Sequence, residues 1–138
     1  MDIESQSQSF CEIPHRADIA IEITGETLDK LFMHAAEGLS HIMGLEVSLE
    51  MTIEKEITFV ESDTESLLVA FLSELIFEVE NGIWFRIIEV NAGEKELKAR
   101  LAGYAVVHQK REIKAATYHD LSIQFKEQEW RTAIIFDV

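Results

Sequence analysis

From Leu28 onward apolar side chains recur at Leu28, Leu31, Phe32, Ala35, Ala36, Leu39, Ile42 and Met43. That spacing is one face of an α-helix. Thr27 stands where an N-cap belongs, and Gly44 where a helix ends. The period then changes to two. Val47, Leu49, Met51, Ile53, Ile57 and Phe59 alternate with Glu46, Ser48, Glu50, Thr52, Glu54, Glu56 and Thr58. This predicts one long strand, or two strands broken near Lys55, with one wet face. Lys55 falls in the apolar register, so a bulge or bend is expected there. A second helical stripe follows at Leu67, Leu68, Phe71, Leu72, Leu75, Ile76 and Val79. Ser62 with Glu65 reads as its capping box, and Asn81-Gly82 as its stop.

The remaining apolar runs are short. "IAIEI" at 19–23 is a strand candidate, as are "WFRIIEV", "ELKARLAGYAVVH", "LSIQF" and "WRTAIIF", with "NAGE" and "KEQE" as turns between neighbours. The chain opens β-α-β-α-β. Helices with one apolar stripe each, beside mostly alternating strands, predict an α+β fold: a mainly antiparallel sheet with two amphipathic helices packed on its apolar side. Pro14 confines Ile13 to extended backbone, so "EIPHRAD" is a loop or strand edge. Residues 1–8 form a polar tail, and 9–138 a single domain.

Charge narrows the partners. Of 138 residues, 12 are Lys or Arg and 26 are Asp or Glu, a net charge of −14. Such a surface repels phosphate backbones, whose affinity for proteins rests on Lys and Arg, so independent nucleic-acid binding is not expected. A cation or a basic protein surface is the natural partner. The 47% hydrophobic content supports a packed globule rather than a disordered chain. Cys11 is the only cysteine, which excludes an intrachain disulfide and fits a reducing compartment. "MDIESQSQSF" has no apolar segment of signal-peptide type, and no apolar run has the roughly 20 residues of a membrane span. A cytoplasmic protein is expected.

Motifs for the common self-contained chemistries are missing: no Gly-rich phosphate loop, C-x-x-C, H-E-x-x-H or G-x-S-x-G occurs. Cys11 and His15 are four apart, but a lone cysteine at a strand end is ordinarily a small buried hydrophobe. His34 and His41 lie two helical turns apart, too far to share a zinc ion. Two places hold more promise. Asp18 follows the proline loop and directly precedes an apolar strand. The chain ends "AIIFDV", whose apolar residues are expected to hold the terminus in place against fraying. If the strands carrying Asp18 and Asp137 pair, those two side chains and the α-carboxylate of Val138 converge. An all-oxygen cluster of that charge suits Ca²⁺, Mg²⁺ or Mn²⁺. In "EIKAATYHDL", an extended backbone over 112–118 would put Glu112, Lys114, Ala116 and Tyr118 on one face and Ile113, Ala115, Thr117 and His119 on the other. Lys114 is then either a snorkelling edge residue or a point charge for an anion. His119 reads as a hydrogen-bonded structural residue or a proton carrier.

"PHRADIAIEITGETLDKLFMHAAEGL", "DTESLLVAFLSELIF", "IKAATYHDLSI" and the final "FDV" occur in that order. Together they resemble the archease family over nearly all of the chain after residue 9. Where the family pattern often has an acid before the first-motif histidine and a threonine after it, this chain has Pro14 and Arg16. The resemblance implies an accessory protein, not an enzyme, that serves the GTP-dependent RNA-splicing ligase of tRNA splicing. Such proteins promote guanylylation of the ligase's active-site histidine and its repeated turnover, with GTP bound only in the ligase complex. Matched by position, Asp18 and Asp137, with Val138 beside the latter, take the metal-binding places, Ca²⁺ being the ion expected first. Lys114 takes the basic place that faces nucleotide or metal site, with His15 and His119 as supporting positions. Two other classes stay open: a small metal-dependent phosphoester hydrolase using the same acids, and an acidic, chaperone-like adaptor without a metal.

Overall fold

The computed structural model describes residues 18–138. Cys11, Pro14, His15, Arg16 and the polar tail lie outside the described residues. The order of elements is β1 (Asp18–Gly25), α1 (Leu28–Met43), β2 (Glu46–Val60), α2 (Thr64–Glu80), β3 (Ile83–Ala92), β4 (Glu96–His108), β5 (Ala115–Ala116), β6 (Gln124–Lys126) and β7 (Glu129–Asp137).

Helix α1 begins and ends where its sequence says. The Thr27 side chain accepts the Lys30 N–H at 3.1 Å. Gly44 closes the helix in the left-handed region, at φ 61°, with its N–H on the His41 carbonyl at 3.0 Å. A Cβ there would strain the backbone and sit 2.8 Å from the Lys110 side chain, so only glycine fits. Helix α2 starts differently from the Ser62–Glu65 capping box. Asp63 is its N-cap, accepting the Ser66 N–H at 2.7 Å. Glu65 instead accepts the Ile123 N–H at 2.9 Å, tying the helix to the segment before β6. Asp29, in the first turn of α1, likewise accepts the Ala92 N–H at 2.7 Å. Each first-turn acid thus pins its helix to a strand end.

The strands are antiparallel throughout and divide between two sheets. In one, β7 is central, flanked by β1 and β5, with β6 also paired to it; the other has the order β2-β4-β3. Helix α1 packs on β1 and β3, and α2 on β3, β5, β2 and β4, so each helix touches both sheets. Phe32 and Phe71, both fully buried, meet between the helices at 6.1 Å. One core results, joined on the strand side by Phe136, Ile134, Leu97 and Leu101.

β2 runs unbroken through Lys55, against the expected bulge. Its register irregularities lie earlier, between Glu46 and Ile53. Lys55 keeps the apolar register because its ammonium is held from the other side of the core. Nζ lies 3.0 Å from Glu74 and 2.6 Å from Glu78, both on α2, and 4.5 Å from the centre of the Phe85 ring. Among the described residues no helix is long and apolar enough to cross a membrane.

Candidate functional site

Apolar pairing sets the register of β1 against β7. Ile19 lies opposite the fully buried Phe136, and Ile21 opposite the fully buried Ile134. Because side chains alternate along a strand, a slip of one residue would turn these pairs outward. The same register leaves Asp18 directly opposite Asp137, both exposed. Directly opposed residues share a face of the sheet, with Cβ atoms about 4.5–5.5 Å apart. The condition left open by the sequence, that these two strands pair, holds residue by residue. Val138 follows at once, its side chain packed against the core.

β7 is the middle strand here, so Asp137 has a neighbour on each side. Ala115 of β5 is its partner opposite Asp18. The main-chain N–H of Lys114 donates to the Asp137 carbonyl at 2.8 Å, and that of Thr117 to the Ile135 carbonyl at 3.0 Å. The Thr117 hydroxyl donates to the same Ile135 oxygen at 2.9 Å. Asp18 on β1, Asp137 on β7 and Lys114, the residue before β5, are thereby adjacent.

The extended reading of 112–118 needs correction. Only Ala115–Ala116 is strand. Ile113 and Ala116 are both buried, three positions apart, which strict alternation forbids. Lys114 is exposed, as either reading of it required. His119 stands in the turn beyond, exposed, with Nε2 3.3 Å from the Asp120 carboxylate. No described contact brings it to the two acids. His15 lies outside the described residues. What sequence reasoning missed is the part played by the backbone: Lys114 touches Asp137 through its amide, a contact that carries no side-chain signature.

Two carboxylates held opposite each other repel, and a directly opposed like pair weakens a sheet. A cation between them reverses the sign of that interaction. Among the described residues no group of three or more His, Cys, Asp or Glu side chains is placed to hold a metal ion. Asp18 and Asp137 bring only oxygen donors. A donor set made only of oxygen, two of its members anionic, suits a hard divalent ion and not zinc.

Comparison with known proteins agrees with the ordered motifs. Residues 10–138 match the model of the Archease protein family. The chain is 31% identical over 144 residues to the protein archease of Methanosarcina mazei, covering 97% of this chain and 99% of that one. It is 34% identical over 138 residues to the protein archease of Pyrococcus abyssi, covering 90% and 94%. Among solved structures, a Thermotoga maritima protein described as an archease, possible chaperone, superposes with a TM-score of 0.70 at 27% identity, over 96% of this chain and all of that one. A Methanobacterium thermoautotrophicum protein shares the fold, with a TM-score of 0.66 at 22% identity over 91% of this chain and 96% of that one. The antiparallel α+β architecture, the motif order and the relatives at both levels agree, and the chain belongs to the archease family.

Proposed function

We propose that this protein is an accessory factor of the GTP-dependent RNA-splicing ligase of tRNA splicing, working in the cytoplasm. It promotes guanylylation of the ligase's histidine and so its repeated turnover, without binding RNA by itself. Family membership supports the accessory role. The observation that carries the metal part of the reading is the pairing of Asp18 with Asp137, which sets two exposed carboxylates opposite each other at the end of the β1–β7 ladder.

In this reading Asp18, Asp137 and the α-carboxylate of Val138 hold a divalent ion, Ca²⁺ first, with Mg²⁺ or Mn²⁺ as alternatives. The bound ion supplies a compact positive centre that polarises phosphate oxygens. The protein's own residues do the rest. The ladder fixes the spacing of the two acids, and Val138, its side chain packed on the core, would bring its carboxylate to Asp137. Lys114 adds a flexible point charge for the phosphates of the ligase-bound nucleotide or for the carboxylates themselves. His15 and His119 are supporting positions. The net charge of −14 suits docking on the basic surface of an RNA-binding enzyme.

The test is ligase guanylylation with and without this protein, the metal varied. Wild type is expected to accelerate it in a metal-dependent way. Asp18→Ala and Asp137→Ala are expected to fall to the unassisted rate while remaining folded, and to lose the rise in melting temperature that the ion gives wild type. Full activation by both variants defeats this reading. Phosphoester turnover by the purified protein alone would favour a hydrolase, and metal-independent stimulation an adaptor.

A further inference from the structure

β2 is an edge strand. Among the described residues it pairs only with β4, which leaves the other side of a strand of 15 residues without a sheet partner. No proline or glycine interrupts it. Its first half is unusually bare for an apolar sequence. Leu49 is 101% exposed, Met51 50% and Ile53 47%. Between Val47 and Ile53 the register against β4 is irregular, and residues 48–50 have no partner on it. Gly103, opposite Ile53, permits the close approach there: a Cβ at that position would lie 2.8 Å from both the Ile53 and the Phe85 side chains.

Helix α2 extends the apolar surface. Glu74, Phe77 and Glu78 share one helix face, because positions three and four apart are neighbours. That face reaches β2, since Glu74 and Glu78 hold Lys55. Ile53 lies two residues from Lys55 in an unbroken stretch of ladder and points to the same side. Phe77, 56% exposed, therefore flanks the same clamp as Ile53.

Charge selects the occupant. Glu46, Glu50 and Glu56 lie along this stretch of β2, exposed, while Glu54, also exposed, is paired with Arg100 of β4 at 3.1 Å. A second copy pairing edge to edge would set glutamates against glutamates, and like charges across a ladder are destabilising. These acids block self-association and leave the edge open to a strand of opposite charge. We propose that the outer edge of β2 from Glu46 to Glu56, with Leu49, Met51, Ile53 and Phe77, receives an extended basic segment of the partner protein, bearing apolar side chains, as an added strand. Main-chain hydrogen bonds supply the affinity and the apolar side chains the register, as in other strand additions. The identity of the partner rests on the ligase reading; the chemistry of the edge does not.

Two measurements separate these claims. The first uses a synthetic peptide of alternating Lys and Val, about nine residues long, with an alternating Glu and Val peptide as control. The Lys peptide is expected to shift amide resonances along 46–56 and slow their hydrogen exchange. The Glu peptide is expected to do neither. The double variant Leu49→Ser, Met51→Ser, its unfolding midpoint checked against wild type, is expected to weaken the effect about tenfold, as loss of apolar anchors does. Shifts scattered over the acidic surface, or unchanged in the double variant, overturn the proposal. So does concentration-dependent self-association of wild type that the double variant removes. The second uses the ligase. The double variant and Glu50→Lys are expected to raise the half-saturating concentration in guanylylation and leave the saturated rate intact. If wild type activates the ligase and these variants titrate like it, the edge assignment fails. If wild type captures the Lys peptide at β2 but never activates the ligase, the functional reading fails and the edge assignment stands.

Discussion

Asp137 is the residue on which three strands meet: Asp18 lies opposite it on one side, and the Lys114 amide donates to its carbonyl on the other. This makes Lys114 an unusually direct test of the site, because its backbone contact survives any side-chain change. Lys114→Ala removes the ammonium, and Lys114→Glu reverses its charge. As a snorkelling residue it would tolerate both within about 0.5 kcal/mol and leave activation untouched. As a contact for phosphates or for the acids, it gives a different pattern. Both variants should slow ligase guanylylation at saturating protein, Glu more than Ala, with the unfolding midpoint nearly constant. Lys114→Arg should restore only part of the rate, a planar fork replacing a compact ammonium. Wild-type rates for Ala and Glu would leave Lys114 with its amide as its whole contribution.

β2 and α2 are locked by the Lys55 clamp. Burial works to lower the Lys55 pKa, but the hydrogen bonds to Glu78 and Glu74 outweigh it and hold the ammonium above its ordinary value of 10.5. The Lys55 hydrogen bond in turn holds the Glu78 carboxyl below its ordinary 4.5. The signs define a window. A carboxyl depressed in the folded state stabilises above its unfolded value and stops doing so as pH falls through the folded one. A raised lysine stabilises below its unfolded value and stops as pH rises through the folded one. The clamp is therefore fully effective between these limits and fails in acid and in strong alkali. Lys55→Met strands Glu74 and Glu78 side by side and should cost about 1–2 kcal/mol in urea unfolding near neutrality. The deficit should shrink in acid, as the carboxyls protonate. A deficit independent of pH would assign it to packing on Phe85 and not to charge.

At the scale of the molecule, two antiparallel sheets share one core because each helix packs on both. The candidate site belongs to the sheet built from the two ends of the described chain, β1 and β7, whereas the β2 edge belongs to the other. The proposed metal position and the proposed docking edge thus fall on different sheets and should be separable by mutation. The Val138 side chain packs on the core, so a short extension after it need not disturb the fold. It would move the α-carboxylate away from Asp137. Appending a few residues is expected to abolish metal-dependent activation while circular dichroism and the half-saturating concentration stay near wild type. Full activation by an extended protein would remove Val138 from the ligand set.

The sequence by itself determined both helices, with the Thr27 and Gly44 ends of α1, most of the strands and their antiparallel pairing. These follow from periodicity and capping, which are local properties readable within a few residues. It also pointed to Asp18 and Asp137, through the apolar runs next to each. Tertiary structure decided what depends on distant partners. Lys55 looked like a break in β2 because its counter-ions lie 19 and 23 positions further along the chain. Ser62 and Glu65 fitted a capping box, yet Glu65 was drawn away by the Ile123 amide and Asp63 took the cap. The alternation that a fully extended 112–118 would show is replaced by the irregular hold of β7 on β5, where main-chain hydrogen bonds, silent in a sequence, fix Lys114. The division into two sheets and the bare edge of β2 are likewise invisible to local pattern. An alternating strand shows which side chains share a face, and only the folded chain settles what covers that face.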